Sequence, residues 1–130
     1  MLEKLKEDLS NTLEKVLSSK ELKEGEVKNA LAAVVEKFKD EIKPENLEKI
    51  MDHLLQETKR ITAKVGYDTG KASSLVVEGF KDGLEKAGKG KDFIKDFMKV
   101  CINSAKKMGL EMMKLPVSFF SSFVEGLKEK

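Results

Sequence analysis

Leu2, Leu5, Leu9, Leu13, Val16 and Leu17 recur at three- and four-residue spacing, with Glu and Lys between them. That spacing predicts an amphipathic helix of roughly four turns. Ser18, Ser19 and Gly25 loosen the chain. Val27, Leu31, Val34, Val35, Phe38 and Ile42 then mark one face of a second helix, which Pro44 is expected to stop; the residue before a proline is pushed out of the α region. Pro44 also suits the start of a third helix, whose apolar face runs from Leu47 through Leu54, Leu55 and Ile61 to Val65. Gly66 and Gly70 bracket Tyr67-Asp68-Thr69. This reads as a turn with Gly66 as the helix C-cap, in preference to a small-residue stretch inside one long helix. Val76, Val77, Phe80 and Leu84 make the fourth face, and Ala87-Gly88-Lys89-Gly90 a loop. Phe93, Ile94, Phe97, Met98, Cys101, Ala105 and Met108 make the fifth. Pro116 is placed to start a last helix with Phe119, Phe120, Phe123, Val124 and Leu127.

These faces repeat. Val76-Val77-Glu78-Gly79-Phe80-Lys81-Asp82 has a counterpart in Val34-Val35-Glu36-Lys37-Phe38-Lys39-Asp40, and a worn one in Phe123-Val124-Glu125-Gly126-Leu127-Lys128-Glu129. The third helix lies on the first at an offset of 45 residues. The fifth lies on the third at an offset of 43, which sets Gly109 on Gly66. A period near 43 residues with two helices per period is a helical-repeat signature. The expected fold is all-α: one domain of five or six amphipathic helices in three related helix–turn–helix units, 1–43, 44–89 and 90–130. A closed bundle and a short solenoid both satisfy this pattern. Phe38, Phe80 and Leu127 should then be buried in equivalent seams.

Composition narrows the function classes. Charged residues are 37% and hydrophobic residues 40% of 130, which fits a globular chain with a core. Lys and Glu dominate, Gln56 is the only Gln and Arg60 the only Arg; that bias is thermophile-like. The net charge of +2 does not point to nucleic acid. Lys86, Lys89, Lys91, Lys95, Lys99, Lys106 and Lys107 make one region mildly basic, but without Arg or stacking aromatics they read as a solvated helix face. Residues 1–6 hold no signal-peptide apolar run. The longest uncharged run, 115–124, is ten residues and contains Pro116, far short of the ~20 needed to span a bilayer. A soluble, cytoplasmic protein is expected.

Little of the chain reads as chemistry. His53, the sole histidine, aligns with Asp8 and Asp96 and is expected on the polar surface, where its replacement should cost no more than about 0.5 kcal/mol. Cys101 aligns with Thr58 and Leu13 and reads as a small core residue; being alone, it makes no intrachain disulfide. Residues 83–90 resemble a Walker A loop on paper, but Gly90 stands where a magnesium-holding Ser or Thr belongs and no strand precedes it. Gly66-x-x-x-Gly70 and Gly79-x-x-x-Gly83 fit close helix approach, a weak signal outside membranes. No catalytic residue, metal ligand or cofactor site is expected.

The candidate contact surface is the C-terminal stretch. Met108, Met112 and Met113 are three of six Met, and Phe119, Phe120 and Phe123 three of seven Phe. Met and Phe suit adaptable apolar surfaces. The expected function is a non-enzymatic structural and interaction protein that self-associates or takes a helical protein partner through Met112, Met113, Phe119, Phe120, Phe123 and Leu127. The alternative is a peripheral, surface-active protein on a lipid or polymer granule. In composition alone, helix-forming, amphipathic and without Trp, the chain resembles the phasins, which implies such a coat.

Overall fold

The computed structural model describes residues 2–18, 21 and 23–109. Among them are five α-helices, no strand and one short 3₁₀ turn. The helices are α1 (Leu2–Leu17), α2 (Glu24–Lys37), α3 (Leu47–Val65), α4 (Thr69–Lys86) and α5 (Lys91–Lys107). The 3₁₀ turn, Pro44–Asn46, opens α3 with Pro44 at its first position, where proline's fixed φ fits and its missing N–H is not needed.

The turns follow from single residues. α3 ends on Gly66 at φ 84°. Its N–H and that of Tyr67 both donate to the Thr62 carbonyl, at 2.8 and 3.0 Å, and the left-handed conformation needed there is cheap only for glycine. Asp68 then caps α4, its carboxylate accepting from the Lys71 N–H at 3.2 Å. Gly66 to Gly70 is therefore a turn, with Gly70 already inside α4. Gly109, aligned with Gly66, adopts the same left-handed backbone at φ 73°.

The helices pack as a bundle in two layers. α3 lies between α1 and α5, while α2 and α4 lie against each other. α1 meets α2 and α3 meets α4, an arrangement compatible with hairpins in the first two predicted units; α5 is the described part of the third predicted unit. The second helix predicted for that unit, with Leu127, lies outside the described residues.

Position in the layers explains how much each helix buries. α1, at an edge, buries Leu5, Leu9, Leu13 and Leu17. α3, in the middle, adds Leu47, Met51, Leu55 and Ile61 to the matching residues Ile50, Leu54, Thr58 and Thr62, because it is covered from two sides. Its buried hydroxyls are satisfied locally: Thr58 Oγ1 donates to the Leu54 carbonyl at 2.8 Å and Thr62 Oγ1 to that of Thr58 at 2.7 Å. Thr58, Leu13 and Cys101, aligned in sequence, are all buried. Phe80 of α4 stacks on Phe97 of α5 with centroids 5.4 Å apart, inside the accepted range for offset aromatic pairs.

The tightest seam is α2 on α4. A Cβ on Gly79 would stand 2.8 Å from Lys28 Cα and from the Lys28 carbonyl oxygen; one on Gly83 would stand 2.9 Å from Ala32 Cα and 2.7 Å from Val35 Cβ. Gly79-x-x-x-Gly83 thus lets two backbones meet directly, as small residues do wherever helices approach closely. Lys28 Nζ closes the edge of the seam on Glu78 at 3.1 Å.

Two expectations fail here. α2 does not run to Pro44: it ends at Lys37, with Phe38 as its C-cap at φ −108° and ψ 22°. Ile42 is fully buried from the following turn, so the core is filled by loop closure. Phe38 is consequently only partly buried, packed on the rim of the core, whereas Phe80 is wholly buried. α4 keeps helical geometry beyond Phe80, and α2 does not beyond Phe38. The two are equivalent in sequence and not in burial.

Candidate functional site

The polar side chains gather along the edges of α3, one row toward α1 and one toward α5. Toward α1, His53 Nε2 lies 2.9 Å from Ser10 Oγ and 3.1 Å from the Lys6 carbonyl oxygen. A carbonyl only accepts, so Nε2 carries the hydrogen. Glu57, one turn on, is held below the usual carboxylate range by the Arg60 guanidinium, against an opposing effect of burial and with help from the Ser10 hydroxyl. Arg60 bridges Glu57 at 2.8 Å and Glu14 of α1 at 2.9 Å.

Toward α5, the buried Ser104 donates through Oγ to Asp52 Oδ1 at 2.6 Å. Lys107 Nζ reaches Asp52 at 2.9 Å and Glu48 at 3.1 Å. Burial alone would raise the Asp52 pKa, yet the Ser104 hydrogen bond and Lys107 together leave it lowered. Lys107 is raised in turn, chiefly by its hydrogen bond to Asp52.

The expected surface position of His53 is thus corrected. It is half-buried and bonded across to α1, because it stands at the border of the apolar arc of α3, where a neighbouring helix comes within reach. A signal for this lies in the sequence: Ser10 and Glu14 on α1, and His53, Glu57 and Arg60 on α3, form two polar rows at helical spacing beside the leucines. Alignment with Asp8 and Asp96 hid it, since neither aligned position faces the same neighbour.

These rows can clamp helices; their geometry does not make a nucleophile. With Nε2 protonated toward Lys6, that nitrogen has no lone pair to take the Ser10 proton, which the base of a serine nucleophile must do. Cys101 is fully enclosed, and burial pushes its thiol well above the ordinary value, away from the reactive thiolate. Among the described residues no group of three His, Cys, Asp or Glu side chains could hold a metal ion.

In the Walker-like stretch, Gly83 to Lys86 belong to α4. Lys89 turns back, donating to the Lys39 carbonyl at 3.0 Å and lying 5.0 Å from the Phe93 ring centroid. It is committed to protein and does not frame a phosphate cradle. An open cleft of about 330 Å³, lined by Leu2, Asp40, Glu41, Lys43 and Asn46, has Asn46 Nδ2 already given to the Glu41 carbonyl at 3.0 Å. No described helix is long and apolar enough to cross a membrane. The predicted contact residues Met112, Met113, Phe119, Phe120, Phe123 and Leu127 lie outside the described residues. The chain matches no family model, no curated protein and no solved structure.

Proposed function

We propose that the chain is a non-enzymatic, cytoplasmic helical structural and interaction protein that self-associates through its C-terminal stretch. One observation carries this. Among the described residues only Val65, at 37% exposure, is a large hydrophobic left exposed. The described helices thus leave little apolar surface bare, and this reading assigns the contact surface to Met112, Met113, Phe119, Phe120, Phe123 and Leu127. The polar positions between those Phe residues, Ser118, Ser121, Ser122 and Glu125, carry no basic charge. A helix built to lie on anionic lipid would hold Lys or Arg there, so a protein surface is the better counterpart, and nucleic acid is not one.

The test is light scattering of the intact chain with and without anionic vesicles, on the wild type and on a Phe120→Ser/Phe123→Ser variant. A stable oligomer that ignores vesicles and loses mass in the variant supports self-association. A folded variant of unchanged mass that no longer binds vesicles, where the wild type does, establishes the granule-coat reading in its place.

A further inference from the structure

We infer that α5 is a strap, hinged at its N-terminal end and latched at its C-terminal end, which lifts off α3 as one helix while α1 to α4 stay folded. The hinge is built from glycine. α4 ends at Lys86, and Ala87-Gly88-Lys89-Gly90 leads into α5. Gly88 has a left-handed φ of 83°, which glycine adopts without strain. Gly90, the N-cap of α5, brings no side chain to cap it. Lys89 pins the loop in place, its Nζ donating to the Lys39 carbonyl at 3.0 Å.

The latch is ionic and lies in the last turn. Ser104 Oγ and Lys107 Nζ take the two oxygens of one carboxylate, Asp52, at 2.6 and 2.9 Å, and Lys107 also reaches Glu48 at 3.1 Å. α5 has 17 residues, ~25 Å of helix, so hinge and latch stand at opposite ends of a lever. Between them α5 meets α4 through Phe97 on Phe80, and among the described elements it touches α4 more sparsely than α3 does. The other helices are held differently. α2 and α4 meet backbone to backbone at Gly79 and Gly83, and the bonds that α1 makes to α3, at Lys6, Ser10 and Glu14, are spread over about two turns. Hydrogen bonds to an ionised group are roughly twice as strong as neutral ones, and both bonds on Asp52 depend on its one charge. The Lys107 and Asp52 side chains are 49% and 28% exposed, so salt screens the pair. Leu55 falls on the same row of α3 as Glu48, Asp52 and Lys59, and lifting the strap bares it together with the Phe80 ring. The device turns apolar surface on and off.

Cys101, the sole cysteine, belongs to α5 and reports the opening. The full chain is alkylated with iodoacetamide, an uncharged reagent, at fixed pH in low urea, with rates referred to those of the urea-unfolded chain. Amide exchange in α2 and α4 is followed alongside by mass spectrometry. In the wild type, alkylation should rise with urea far less steeply than global unfolding does, the mark of a local opening. Asp52→Asn keeps an oxygen for Ser104 and removes the charge that holds Lys107; Lys107→Met leaves Asp52 to Ser104 alone. Each should speed alkylation by about tenfold, the factor that 1.4 kcal/mol gives, with exchange in α2 and α4 unchanged. Added sodium chloride should speed alkylation of the wild type and leave Lys107→Met unmoved. If Asp52→Asn unfolds the chain, Lys107→Met, a change at a half-exposed side chain, decides alone. The proposal is overturned by alkylation with the full urea dependence of unfolding, by equal rates in the wild type and Lys107→Met, or by α2 and α4 amides that speed up in step with Cys101. Salt that moves both chains alike also overturns it, since the latch would then not be ionic.

Discussion

His53 and Asp52 stand side by side on α3 and face opposite neighbours. Removing the imidazole with His53→Ala forfeits its bonds to α1; a net hydrogen bond is worth about 0.5–1.5 kcal/mol. The variant should lose about 1 kcal/mol in denaturant unfolding, where a surface histidine would lose almost nothing. For Asp52, the native pKa lies below the unfolded one. Its contribution is therefore complete above the ordinary Asp range and drains away as pH falls through the depressed native value. Asp52→Asn should flatten the acid limb of a stability-against-pH curve measured by denaturant midpoint. An unchanged limb would mean that Ser104 and Lys107 do not select the charged form. The residue types were legible in the sequence, but their partners were not, because helical spacing gives a face and not the helix that meets it.

At the scale of the element, glycine means different things in different helices. Gly25 has no atom within 4 Å of an added Cβ, while Gly79 and Gly83 meet backbone at once. Gly25→Ala should stabilise α2 by about 0.4–1 kcal/mol through the unfolded state. Gly79→Ala and Gly83→Ala gain the same propensity but overpack a seam that cannot yield without moving a backbone, at about 1–3 kcal/mol each. The double variant should melt below the wild type and Gly25→Ala above it; a double variant that melts higher would show that the seam opens freely. Phe80→Ala should cost about 3–5 kcal/mol, the range for a buried Phe, and Phe38→Ala distinctly less, as read by thermal or urea unfolding. Apolar spacing located α1, α3, α4 and α5 because each keeps its period to its end. It overran α2 because Phe38 and Ile42 keep the period while the backbone leaves the helix. Nothing in apolar spacing separates a helical Ile from one that closes a loop.

For the whole molecule, the repeat foretold more than the composition did. It placed Gly109 on Gly66, and the two share a left-handed backbone. It set Cys101 beside Thr58 and Leu13 in the core. What it left open was the order of the layers, since bundle and solenoid bury one face per helix alike. That order is settled by α3 lying between α1 and α5 and by the bare-backbone seam between α2 and α4. Apolar density in the sequence points to the C-terminal Met and Phe residues and is silent on the polar rows at the edges of α3, because a salt-bridged seam and a solvated face share one composition.

The glycine seam also dictates how the protein comes apart. Arrays of hairpins ordinarily open unit by unit, each held by its nearest neighbour. Here α2 is locked to α4 of the next hairpin more extensively than to α1 of its own. The first hairpin cannot swing away whole without parting Gly79 from Lys28 and Gly83 from Ala32. In native-state hydrogen exchange the amides of α2 and α4 should then open together, with one free energy and one denaturant dependence, while α1 opens earlier and alone. Separate openings for α2 and α4 would show that the cooperative unit is the hairpin. A shared opening makes it the seam, so that the smallest piece able to leave this fold is a single helix and not a repeat.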